Sequence, residues 1–278
     1  MESAGGSMLD ILLEEFHPST MWNGGILILI AFVIIGYFLL LPTSKKHPVW
    51  KSILFVAGLV AVYASLGSPL NVIGRMKFSI HIIQIVLLFF IAPPLIILGF
   101  KNEILRTLNR IEVFRDMINF LTKPIVAIII FYLLFYIYHI PAVFNSARLG
   151  LALNYVILFI ILIAAIFLWV PLLKPDVLTN KQKWIYSIMN MVLIVPYVVI
   201  LLMANEGIYA LYTDFDLFMS SLVICLPSDA AQMTPEFFQA LLPFDPANEQ
   251  KIGAVILLIS QIIIFTIGAI KGRKLNQS

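Results

Sequence analysis

Residues 78–100 read FSIHIIQIVLLFFIAPPLIILGF, a run of 23 residues that contains no Lys, Arg, Asp or Glu. An α-helix of this length rises about 34 Å, enough to cross the roughly 30 Å hydrocarbon core of a bilayer. The run also contains His81, Gln84, Pro93 and Pro94. Polar groups at membrane depth face a bundle interior, and each proline frees a backbone carbonyl that a neighbouring helix has to cover. We therefore expect this helix to lie at the centre of a helical bundle.

The composition extends this interpretation to the whole chain. Hydrophobic residues make up 61% of the 278 residues and charged residues 12%, against about 25% charged in an ordinary soluble domain. Repeated apolar runs predict an all-α, polytopic membrane protein. The single cysteine excludes an internal disulfide and a Cys-x-x-Cys motif. Because no catalytic, phosphate-binding or nucleic-acid-binding motif is found, we expect no enzymatic activity.

Seven runs are candidates for transmembrane helices. The second is the weakest, because Gly67, Ser68 and Pro69 end its apolar run early, so we consider a broken or re-entrant segment there. The predicted spans are Trp22–Leu41, Ser52–Leu66, Phe78–Phe100, Pro124–Val143, Gly150–Leu172, Trp184–Ala204 and Ile252–Ile270.

The distribution of basic residues predicts the orientation. Alternate loops hold 14 of the 18 Lys and Arg residues, and such loops are cytoplasmic. We therefore expect an extracytoplasmic segment at 1–21, a seven-helix domain at 22–272 with a long outer loop at 207–250, and a basic cytoplasmic tail at 273–278. Residues 101–117 show apolar residues at helical spacing between basic ones, which is typical of either a helix bound to anionic membrane lipids or a solvated basic loop.

This orientation gathers polar side chains at the outer face. Imidazoles, carboxylates and thiolates are common metal ligands, so the sequence supports an outer metal site. Structural hydrogen bonding between helices is the alternative for the histidines, simple burial is the alternative for the cysteine, and a solvated acidic surface is the alternative for the acids. The candidate ligands are His81, His139, Cys225, Glu206 and Glu249.

Several short motifs recur in one order along nearly the whole chain and resemble the CtaG family of bacterial membrane proteins. The family is implicated in assembly of the caa-type, heme-copper cytochrome c oxidase. The motifs are GSPLNVIG (67–74), FSIHIIQ (78–84), IAPPLIILG (91–99), YHIP (138–141), FLWVPL (167–172), YALYTD (209–214) and EQKIGAV (249–255).

The resemblance implies an assembly factor in the bacterial plasma membrane that aids formation or copper loading of the oxidase metal centre at the outer face. Subunits of a respiratory terminal oxidase would be its partners. His81 and His139 match family histidine positions, whereas Ile85, Asn154 and Leu158 stand where relatives carry further histidines.

Two other functions fit the residues. Proline-broken spans with buried polar groups are also typical of a transporter or channel for a small solute or metal, although no inverted repeat is found. A purely structural membrane partner without a ligand is the third hypothesis.

Overall fold

A computed structural model describes residues 21–40, 47–101, 103, 110–175, 177–223 and 245–277. Within these ranges the ordered elements are all helical and no strand is present, which confirms the all-α prediction. The helices are α1 (Gly24–Ile35, continued by a π-helical turn at Gly36–Leu40), α2 (Val49–Leu66), α3 (Pro69–Met76), α4 (Phe78–Gly99), α5 (Glu112–Leu121), α6 (Pro124–Tyr138), α7 (Pro141–Leu149), α8 (Leu151–Leu173), α9 (Asn180–Met203), α10 (Phe215–Val223) and α11 (Pro246–Leu275).

Five of the described helices are long and apolar enough to cross a membrane: α2, α4, α8, α9 and α11. The count becomes six if α5 and α6, which meet at an angle of 74°, form one broken span. A further apolar helix, Gly24–Leu39, is shorter than these. Seven spans and the orientation of the termini stay predictions.

The region of Gly67, Ser68 and Pro69 separates two helices. Helix α2 is continuous up to Leu66, where the second predicted span ends. Helix α3 then begins at Pro69, and the Ser68 hydroxyl accepts a hydrogen bond from the Leu70 N–H at 3.2 Å. An N-cap serine followed by proline is a strong helix-start signal. The serine hydroxyl accepts a hydrogen bond from one free backbone N–H of the first turn, and proline has no N–H that would need an acceptor.

Helix α4 is the central element that its sequence predicts. Of the 18 most apolar consecutive residues of α4, 61% are buried, the largest share among the five long helices. The helix passes through Pro93 and Pro94 without a break, because a π-helical turn at Val86–Ile91 precedes them. The carbonyl of Phe89, four residues before Pro93, accepts a hydrogen bond from Trp169 Nε1 on α8 at 3.1 Å. A neighbouring helix thus covers a carbonyl that proline frees.

Glycines allow the helices next to α4 and α8 to approach closely. A Cβ on Gly58 of α2 would lie 2.9 Å from the Ile96 amide nitrogen of α4. A Cβ on Gly272 of α11 would collide with the carbonyl oxygen of Leu172 on α8. Small residues at such crossings bring backbones together, which is how membrane helices gain packing energy where lipid offers no hydrophobic driving force.

The two ends of the bundle differ in their polar residues. The basic end carries Lys51, Lys101 and Lys183, and the histidine end carries His81 and His139. At the basic end, the buried Lys183 ammonium donates to the Gly272 carbonyl and the Asn276 side-chain oxygen at 2.7 Å, and to the Lys174 carbonyl at 3.3 Å. This ammonium joins the start of α9 to the ends of α8 and α11.

Candidate functional site

The centre of the histidine end is a pair of buried imidazoles. His81 lies in the first turns of α4, and His139 caps the C-terminus of α6 where the chain turns into α7. Their ring centroids are 5.9 Å apart, and the residues are 0% and 4% exposed. The fold thus brings together two histidines that are 58 residues apart in the chain.

Hydrogen bonding assigns the tautomer of His139. Its Nδ1 lies 2.7 Å from the carbonyl oxygen of Phe135, the residue one turn earlier in α6. A carbonyl can only accept, so Nδ1 carries the proton, and in the neutral imidazole Nε2 then carries the lone pair. This Nε2 is buried and has no hydrogen-bond partner among the described residues.

Gln84 assigns the tautomer of His81 in the same way. The Gln84 amide nitrogen donates to the Ser65 carbonyl at 2.7 Å and to Asn71 Oδ1 at 3.0 Å. Its Oε1 is therefore the atom 3.3 Å from His81 Nδ1, and that ring nitrogen must be the donor. The remaining His81 Nε2 is again buried and without a partner in the described part of the chain. In their neutral form, both imidazoles therefore present an unprotonated Nε2.

A hydrogen-bond network of side-chain amides and hydroxyls holds Gln84 in place. Asn71 of α3 donates to the Tyr155 hydroxyl of α8 at 3.2 Å, and Asn23, the N-cap of α1, donates to the same hydroxyl at 3.1 Å. The Ser65 hydroxyl donates to the Gln84 backbone carbonyl at 3.0 Å. This network holds the His81 ring by groups from four other helices or caps.

Aromatic rings form the wall of the site. Phe144 lies 5.0 Å from His81, and Phe135 and Tyr197 lie 4.2 Å and 4.7 Å from His139, all between ring centroids. The Tyr209 hydroxyl donates to the His139 carbonyl at 3.1 Å. These rings exclude water from two nitrogens that water would otherwise satisfy.

The two glutamates predicted as metal ligands contact other groups. Glu249 forms an ion pair with Lys77 at 3.2 Å and accepts a hydrogen bond from the Ser79 hydroxyl. Glu206 is exposed, and its backbone carbonyl accepts from Gln250 Nε2 at 3.1 Å. Cys225 lies outside the described residues. Within the described ranges, no three His, Cys, Asp or Glu side chains come together as a metal site.

Two arginines at the histidine end are buried, although both lie between predicted spans, where solvated charges are expected. Arg75 and Arg148 are both 0% exposed. Arg75 donates to the backbone carbonyls of Arg148 and Ser221 and thereby joins α3 to α7 and α10. The signal was present in the sequence, because both arginines lie on the side that is otherwise poor in basic residues.

Asn154 and Leu158, which occupy positions where the resemblance implies histidine, are also buried. Asn154 Oδ1 accepts a hydrogen bond from the Tyr138 hydroxyl at 3.1 Å. The Tyr138 ring centroid lies 6.1 Å from that of His81. The Tyr138 side chain therefore lies between position 154 and the His81 ring.

The family model described as cytochrome c oxidase caa3 assembly factor (Caa3_CtaG) matches residues 27–271, nearly the whole chain. No curated protein and no solved structure matches the chain.

Proposed function

Because this chain belongs to the family of cytochrome c oxidase caa3 assembly factors, we propose that it assists assembly of a heme-copper oxidase in the bacterial plasma membrane. Its five or six apolar helices support an integral, multi-pass protein. Subunits of the oxidase would be its partners. We propose a non-enzymatic role, in which the protein binds a client or its metal and catalyses no bond change.

The histidine pair supports a more specific role in copper loading. A metal–nitrogen bond is about 2.0 Å, so one ion shared by two imidazoles places the ring centroids at most about 6 Å apart. The observed separation of 5.9 Å lies within this limit. Two buried Nε2 lone pairs without partners are the single observation that carries the copper proposal, because a buried acceptor without a donor costs free energy unless a ligand satisfies it.

The donor set favours Cu(I) over other ions. Imidazole nitrogen suits copper and zinc, but a structural zinc site takes four protein ligands, more than the two histidines supply. Monovalent copper accepts two nearly linear ligands. An ion held by only two ligands can pass to a client that offers more, which is the property that a copper-loading factor needs.

Metal analysis of the purified full-length protein tests the copper proposal. After anaerobic loading with Cu(I) and removal of excess metal, we expect one copper per chain. His81→Ala and His139→Ala should each lose it. His47→Ala is the matched control, because His47 lies at the basic end beside Tyr37 and should leave the copper content unchanged.

The outcomes distinguish copper loading from the more general role in oxidase assembly. Wild-type protein that binds no copper under these conditions would exclude copper loading and leave the assembly role standing. Deletion of the gene tests that role, since we expect loss of oxidase activity and of subunit copper in the membranes. A deletion strain with normal, fully metallated oxidase would exclude the assembly role itself.

A further inference from the structure

A groove runs along the outer surface of α2 at the basic end of the bundle, far from the histidine pair. It encloses 780 Å³. Its long wall is apolar and includes Phe38, Ile53, Val56 and Val60. We refer to it as the α2 groove.

The apolar wall opens to the surface that a bilayer would surround. Ile53 is 62% exposed and Val60 is 55% exposed, and both lie in an apolar helix long enough to span the membrane. A concave apolar surface at this position meets hydrocarbon chains in the bilayer rather than water. A flexible acyl chain is therefore the occupant whose shape fits the wall.

The polar groups of the α2 groove collect at one end. Lys101 is 1% exposed and its ammonium donates to the Tyr37 carbonyl, 4.4 Å from the centroid of the Tyr37 ring. The Tyr37 hydroxyl donates to the Gly99 carbonyl at 2.8 Å and therefore accepts from His47 Nε2 at 3.0 Å. Ser52 completes this end. A lysine ammonium and a hydrogen-bonded polar cluster thus lie where the apolar wall stops.

Cations outnumber anions among the charged groups that act on His47 at the polar end. Burial lowers the pKa of His47, and the neighbouring charges of Lys101 and Lys51 lower it further, whereas Glu103 opposes them. Two cations therefore act on His47 against one anion. Lys51 and Lys271 also lie 5.8 Å and 5.7 Å from the ring centroid of Trp50, which extends the basic surface along the rim.

We propose that the α2 groove binds one anionic glycerophospholipid, with an acyl chain along Val56 and Val60 and the phosphate at the polar end, beside Lys101 and within reach of the charge of the neighbouring Lys51. Charge complementarity supports this occupant, since basic pockets between membrane helices bind anionic lipid head groups. The apolar wall alone would accept any lipid, whereas the buried ammonium selects the charge of the head group.

Native mass spectrometry of the full-length protein in detergent tests the lipid proposal. The protein is titrated with phosphatidylglycerol or with phosphatidylcholine of the same acyl chains, and the one-lipid adduct is quantified. We expect phosphatidylglycerol to bind more tightly. Lys51→Gln should weaken its binding about fivefold, the effect of removing one lysine near a lipid head group.

A matched pair of substitutions tests the acyl-chain position. Val60→Trp fills the α2 groove, whereas Val156→Trp places the same bulk on α8 at a valine of similar exposure, 56% against 55%. We expect only Val60→Trp to remove the adduct. Equal binding of the two lipids would overturn the proposal, and so would equal effects of the two tryptophan variants. Thermal melting of each variant shows that it is folded.

Discussion

The indole N–H of Trp169 donates to the backbone carbonyl of Phe89 across 3.1 Å, and this carbonyl lies four residues before Pro93. Helix α8 thus supplies the donor that the proline of α4 cannot. The Trp169 ring also stacks on Phe265 of α11, with centroids 4.5 Å apart. One side chain therefore joins the central helix to two others.

Trp169→Phe should destabilise the protein by about 1–3 kcal/mol, because it leaves the buried Phe89 carbonyl without a donor. The thermal midpoint of the purified protein in detergent measures the effect. Trp22→Phe is the control, since Trp22 is 48% exposed and should change the midpoint little. Equal midpoints for the two variants would show that the indole hydrogen bond contributes nothing.

Gly272→Ala should lower the thermal midpoint, because the added methyl group would collide with the carbonyl oxygen of Leu172 and force α8 and α11 apart. Gly36→Ala is the matched control. Nothing lies within 4 Å of a Cβ at Gly36, so alanine there should be neutral or stabilising by up to about 1 kcal/mol. A Gly272→Ala protein as stable as wild type would show that the contact relaxes without cost.

Lys183→Met should destabilise the basic end by about 2–3 kcal/mol, since hydrogen bonds to a charged group are the stronger ones and their buried acceptors would lose their donor. Lys181→Met removes the same charge two residues away at an exposed position and should have little effect. Denaturation monitored by circular dichroism compares them. Equal unfolding midpoints for the two variants would show that the Lys183 ammonium does not stabilise the junction of α8, α9 and α11.

Gln84→Leu should weaken Cu(I) binding about 10–100-fold, the usual effect of removing a group that orients a metal-bound histidine. This expectation rests on the proposed copper site. Competition with a Cu(I) chelator measures the affinity. Gln277→Leu, at an exposed position, is the matched control. Unchanged affinity in Gln84→Leu would mean that the His81 tautomer is set without Gln84.

Several features of the site could be predicted from local sequence. His81 and Gln84, one turn apart in an apolar run, indicated a polar interior face on α4. Membrane depth makes such groups expensive unless they face protein. The central position of α4 and the cover over a proline-freed carbonyl followed from the same stretch, and the structure confirms both.

Other features depended on distant residues. The burial of Arg75 and Arg148 was missed because basic residues near span ends are ordinarily solvated. The copper hypothesis included Glu249, but the structure pairs this carboxylate with Lys77 and Ser79. Partner choice among several charged side chains depends on distances that no local pattern contains.

The sequence by itself determined that the chain is helical and apolar. Within hydrocarbon, each segment must hydrogen-bond its own backbone N–H and C=O groups, and a helix does this with local residues, so a single apolar run is enough to predict it. The tertiary structure decided which nitrogen of His81 stays available. That outcome depends on the orientation of the Gln84 amide, which the Ser65 carbonyl on another helix fixes, and only packing brings such groups within hydrogen-bonding distance. The Nδ1 proton of His139, by contrast, is held by a carbonyl one turn away in its own helix.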